Sequence, residues 1–136
     1  MILILCTDDS NGMTFNNRRQ SRDCIVRKHI LADIADSKLW INQYSNEQFA
    51  TLTDNIQVDE DFLSKAERGE YCFIENVSLD GYEEKIEKII MYRWNRRYPA
   101  DFFFEIKLDT GGWKLSDTED FKGNSHDKIT REVYTR

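Results

Sequence analysis

The sequence predicts an α/β domain: a mixed, mainly parallel central sheet with flanking helices and an antiparallel edge supplied by its C-terminal third. Three observations predict it. The first half alternates short apolar runs with helix-period segments, the order that yields parallel strands joined by helical crossovers. Residues 2–6 are almost continuously apolar, as suits a strand covered on both faces. From Lys88 onward, successive segments alternate with a period of two, which favours strands added antiparallel. A length of 136 residues fits one domain over 1–136, and no Pro/Gly/Ser-rich stretch reads as a linker.

Residues 2–6 form the first strand and end at the polar turn Asp8-Asp9-Ser10-Asn11-Gly12. Ser21 is placed to cap a helix over 21–35, where Val26, Ile30 and Ile34 recur every four residues beside Leu31 and Ala35. Residues 38–44 read as the second strand, and Ser45 opens a short helix over 47–50. Ile56–Val58 is a brief strand; Asp59 then caps a helix over 59–68 that Gly69 closes. Residues 71–77 read as another buried strand, followed by a helical turn around 79–86. Lys88–Arg93, 102–108 and 128–134 complete the sheet. Ile90, Tyr92 and Trp94 share one side of the first, and Phe102, Phe104 and Ile106 one side of the second.

Nineteen basic against twenty-five acidic side chains give a net charge of −6. That balance argues against a nucleic-acid binder, which needs a basic face to displace counterions, although Arg93, Arg96 and Arg97 form a local patch. It suits solubility, and it suits encounter with a basic partner protein. Three cysteines, Cys6, Cys24 and Cys72, cannot all pair within the chain, so buried thiols in a reducing cytoplasm are expected. The opening MILILC is too short for a signal segment or a membrane span, and no membrane association is expected.

The segment from Asn16 to Arg22 concentrates amides and cations ahead of a helix: Asn16, Asn17, Arg18, Arg19 and Arg22 form either a phosphate- or carboxylate-binding loop or a solvated one. Asp8 and Asp9 stand at a strand end, where ligands collect in open α/β sheets; they read as a magnesium pair or a solvated turn. Cys24 could be activated at a helix start, but it lacks an apparent histidine partner. The segment from Tyr92 to Tyr98 offers base-stacking rings or ordinary sheet packing.

The stretch ADFFFEI, Trp113 and the terminal Glu132-Val133-Tyr134 resemble the last third of dihydrofolate reductases. Leu3 to Thr7, Asn11-Gly12-Met13 and Asn16-Asn17 resemble that family's first strand and following loop, and LWINQYSNEQF its next strand and short helix. The resemblance implies the family's fold and, at Asp23, its substrate-gripping carboxylate; otherwise Asp23 simply complements the helix dipole. Other working residues are absent. Arg18-Arg19-Gln20 stands in place of Leu-Pro-Trp, and Asn42-Gln43-Tyr44-Ser45 in place of a Gly-Arg-x-Thr phosphate turn. Glu75-Asn76 replaces the glycine pair that admits the cofactor diphosphate. The short chain also implies loss of much of the cofactor half. NNRRQSRD and YRWNRRYPAD further resemble small bacterial proteins labelled ribonuclease Z. That chemistry needs a histidine-rich cluster for two zinc ions, and His29 and His126 cannot build one. No metal site is expected.

The expectation is a non-catalytic acidic α/β module, without cofactor, that binds a basic partner protein in the manner of an immunity or inhibitor protein. The alternative is a divergent NADPH-dependent reductase of a pterin-like molecule, with Asp23 as its acid.

Overall fold

The computed structural model describes residues 1–49 and 52–136. In chain order its elements are β1 (Ile2–Thr7), β2 (Gly12–Phe15), β3 (Arg18–Arg19), α1 (Cys24–Ile34), β4 (Leu39–Ile41), α2 (Gln43–Phe49), β5 (Ile56–Val58), α3 (Phe62–Lys65), β6 (Tyr71–Phe73), β7 (Lys88–Arg93), β8 (Phe102–Phe103), β9 (Lys114–Phe121) and β10 (Ile129–Thr135), with a 3₁₀ turn at Glu83–Lys85. Seven strands form one sheet in the order β5-β4-β6-β1-β7-β10-β9. The first five are mutually parallel, while β10 and β9 add antiparallel beyond β7. A smaller antiparallel sheet, β3-β2-β8, sits beside it.

Central β1 explains its own composition. Leu3 and Leu5 enter one core with Phe62, Ile89, Met91 and Phe104. Ile2 and Ile4 enter the other with Val26, Ile30 and Ile34 of α1, plus Ile90, Tyr92 and Trp94. A strand between two packed layers has no wet face, so its apolar run is unbroken.

Several boundaries differ from expectation. Asp23, not Ser21, caps α1: its Oδ1 accepts from the amides of Ile25 and Val26 at 2.8 and 3.1 Å. The strand expected over 38–44 stops at Ile41, because Asn42 Oδ1 accepts from the Ser45 amide and starts α2 there, so Ser45 lies inside the helix. Ala50, the end of that expected helix, lies outside the described residues. Asp59 accepts from the Asp61 amide and pairs with Lys65, and α3 is a single turn. The strand expected over 71–77 ends at Phe73. Of 102–108, only Phe102–Phe103 is strand, and it joins the small sheet while Phe104 and Ile106 drop into the core.

Strand β9 was unforeseen. Its eight residues are exposed up to Phe121, which is half-buried, so no face of it carries an apolar period. The β2–β3 hairpin likewise falls where the sequence predicts a loop. Phe15 pairs with Arg18 across Asn16 and Asn17, which both lie at positive φ (51° and 61°), as a type I′ turn requires. Glycine is easier still at the second of these positions. Asn17→Gly should therefore hold or raise stability by up to ~0.5 kcal/mol, whereas Asn17→Val should lower it by ~1–2 kcal/mol in thermal denaturation.

Candidate functional site

The parallel strands deliver their carboxyl ends to one edge of the sheet, the place where open α/β sheets gather ligands. Here that edge is filled. The hairpin turn at Asn16 and Asn17 folds β3 back against Thr14 and lays Arg19 over the end of β6. Arg19 Nε and Nη2 donate to the two Glu75 carboxylate oxygens at 2.8 and 3.1 Å, a bidentate pair with side chains 17% and 9% exposed. Nη2 also donates to the Tyr44 carbonyl, the guanidinium stacks 4.5 Å over the Tyr44 ring, and the Arg19 amide donates to the Tyr44 hydroxyl. Ser45 Oγ gives Glu75 a third donor at 2.8 Å. Burial pulls the Arg19 pKa down, but the Glu75 hydrogen bonds and charge outweigh it and hold the group above its ordinary value.

Asp8 organises the turn behind this pair. Fully buried, it accepts from the amides of Ser10 and Gly12 on Oδ1, and from Gln20 Nε2 and the Tyr98 amide on Oδ2. Gly12 is needed there: a Cβ would stand 2.6 Å from Ala100 Cβ and 2.8 Å from Asp8 Oδ2. Asp8 is thus neither half of a magnesium pair nor solvated. Among the described residues, no group of three or more His, Cys, Asp or Glu could hold a metal ion.

Asp23 closes the third side. Besides capping α1, its Oδ2 accepts from the Ser125 amide at 2.7 Å and the Ser125 hydroxyl at 2.6 Å. Burial pushes the Asp23 carboxyl up, but these bonds and the cap amides outweigh it and hold it below the ordinary aspartate range. Ser125 Oγ also meets His126 Nδ1 at 2.6 Å, and His126 Nε2 meets the Tyr98 hydroxyl at 2.6 Å. With Ser125 committed to the carboxylate, the imidazole has no proton to take from it, so the trio is a loop clasp and not a nucleophile relay. Gly123 permits the clasp, since a Cβ there would lie 2.3 Å from Asp23 Oδ2. All three cysteines are free thiols. Burial raises the Cys6 thiol pKa, with the Glu75 and Asp23 charges adding to it, and burial pushes Cys72 up to about 12. Neither is a poised nucleophile.

Of the residues singled out in the sequence, the structure brings Arg19 and Asp23 to one small cavity, shared with Glu75, Gln20 and Arg27. Its volume is about 20 Å³. Asn16, Asn17, Arg18 and Arg22 do not line it; all four are exposed, and the Asn16 amide is tied to Asp101. The rings of the segment from Tyr92 to Tyr98 are spent internally: Tyr92 donates to Asp33, Trp94 stacks on His126, and Arg96 covers Tyr98. Sequence reasoning missed Glu75 and Tyr44 as partners of Arg19, and Ser45 as a partner of Glu75. The available signal was the presence of an acid at 75 and an arginine at 19, two opposite charges in segments otherwise read separately.

Taken together, the architecture is an open, mainly parallel α/β sheet in which the Arg19–Glu75 pair covers the end of β6. Among solved structures, the chain is similar to the dihydrofolate reductase from Enterococcus faecalis complexed with NADP(H) and RAB-propyl, with a TM-score of 0.70 and 14% identity over 99% of this chain and 95% of that one. The fold is therefore dihydrofolate reductase-like. Coverage of 95% of that chain runs against the expectation that much of the cofactor half is missing; between β6 and β7 this chain has a loop with one 3₁₀ turn. No protein-family model and no curated protein matches the sequence.

Proposed function

We propose that this chain is a non-catalytic protein-binding module built on a reductase-like scaffold, acting on a basic partner as an immunity or inhibitor protein does. The observation that carries this reading is the Arg19–Glu75 pair sealing the strand ends over a cavity of about 20 Å³. That volume suits about one water molecule, whereas ligand pockets run to roughly 300–1,000 Å³. NADPH does not fit these residues. A diphosphate needs bare backbone amides, and it would meet the Glu75 carboxylate together with the side chains of Asn42 and Asn76, which hydrogen-bond each other at 2.9 Å.

The alternative, a divergent NADPH-dependent reductase of a pterin-like molecule, draws support from the breadth of the fold likeness. Its acid would be Asp23, a group whose pKa is lowered and whose two oxygens already take four donors. A general acid needs the opposite bias.

Titration with NADPH and, separately, with a folate analogue separates the two. The expected result is a flat melting temperature up to millimolar ligand. A melting temperature that climbs with NADPH concentration would establish native-state binding and end the module reading.

A further inference from the structure

Beside the Arg19–Glu75 pair, and sharing Met13 with the small cavity there, a groove of about 730 Å³ runs between β8 with its following residues and the loop carrying Ser78 to Glu84. Its floor is apolar: Met13, Ile74 and Phe104 are buried beneath it, and Phe103 stands 40% exposed along one wall. Asp80, Glu83, Glu84 and Glu105 line it, and no lysine, arginine or histidine does. Among the described residues, none of these four carboxylates makes an ion pair. The nearby cations are turned elsewhere. Lys85 donates to the Leu63 carbonyl, and Arg136 donates to the Glu83 and Ile86 carbonyls while covering Trp113.

We propose that this groove is the docking site for an extended basic segment of a partner protein, one that alternates arginine or lysine with aliphatic side chains. The inference rests on the module reading above and gives it a place. Four of the chain's twenty-five acidic side chains line this groove with no cationic side chain among them. Apolar surface beneath unpaired charge of one sign fits a segment whose aliphatic groups fill the floor while its cations meet the rim. Among the described residues, the two-residue strand β8 pairs with β2 alone, so it is a short edge, and its residues form one wall. An extended chain gains backbone hydrogen bonds from such an edge, which a compact ligand does not.

The test uses the full chain and a fluorescein-labelled octapeptide of alternating arginine and leucine, read by anisotropy at ~0.15 M salt, where exposed charges are partly screened. A glutamate–leucine octapeptide serves as the comparison. Glu83→Lys with Glu84→Lys should raise the Kd at least about tenfold, and Phe103→Ala about threefold or more. The matched control, Asp36→Lys with Glu67→Lys, makes the same change in net charge at exposed positions outside the groove and should shift Kd by less than about threefold. Equal losses in the two charge pairs, indifference to the groove pair, or no uptake by the unaltered chain would each overturn the groove. Peptide uptake that ignores the groove variants leaves the module reading standing, whereas a melting temperature that climbs with NADPH defeats that reading independently.

Discussion

Glu75→Leu is expected to lower the stability of the chain by ~3 kcal/mol, with a drop of roughly 10 °C in melting temperature for a domain of this size. The cause is what remains behind. Arg19 loses both carboxylate contacts and keeps only the Tyr44 carbonyl and ring, while Ser45 Oγ loses its acceptor. A guanidinium held away from water with too few acceptors costs more than the pair itself contributes. Arg19→Leu should cost ~2 kcal/mol for the mirror-image reason, because Glu75 keeps the Ser45 hydroxyl. Combining Arg19→Leu with Glu75→Leu should be milder than the sum of the two, since apolar side chains of similar size leave no charge stranded. Urea denaturation of the four proteins gives the coupling energy. Additive losses below ~1 kcal/mol each would mean a solvent-screened surface pair, and the edge would then be open.

Asp23→Ala is expected to cost ~2–3 kcal/mol, from loss of the α1 cap and from a Ser125 amide left without an acceptor. Asparagine at 23 should restore part of this. It can still cap the helix, but its amide nitrogen faces the Ser125 donors. The dependence on pH has a definite sign. A carboxyl whose folded pKa is below its unfolded value adds stability that is complete above the unfolded value and vanishes as pH falls through the folded one. For Asp23 the unfolded value is the ordinary 3.8. The gap in stability between the unaltered chain and Asp23→Asn should thus be constant at neutral pH and shrink below about pH 4. A gap that grew on acidification would indicate a raised pKa and restore Asp23 as a proton donor.

Legibility in the sequence followed how each segment is packed. Strands β1 and β7 and the stripe of α1 were readable because each buries a periodic set of side chains, and period is a local property. Strand β9 was not, because its existence depends on hydrogen bonding to β10 and on no burial of its own. At the site, the sequence singled out Arg19 as one residue of an anion-binding loop and Asp23 as a family-like carboxylate, and read Glu75 as an obstacle to a diphosphate; the structure engages Arg19 with Glu75 and Asp23 with the α1 cap and Ser125. The sequence could not show that the obstacle has a partner, since Arg19 and Glu75 are 56 residues apart.

The sequence by itself determined the layered α/β architecture, the absence of a glycine pair at 75–76 and of a Gly-Arg-x-Thr turn at 42–45, and the acidic balance, all of which are written in local pattern and composition. Only the tertiary structure decided what the substituted residues do. The β2–β3 hairpin carries Arg19 onto the end of β6, so two residues that look independent along the chain become one ion pair. Likewise, Asp80, Glu83 and Glu84 of one segment come to share a groove with Glu105 and exposed Phe103 only after the chain beyond β8 folds beside the turn that follows β6. Charge acts through distance in space, and spacing along the sequence does not encode that distance.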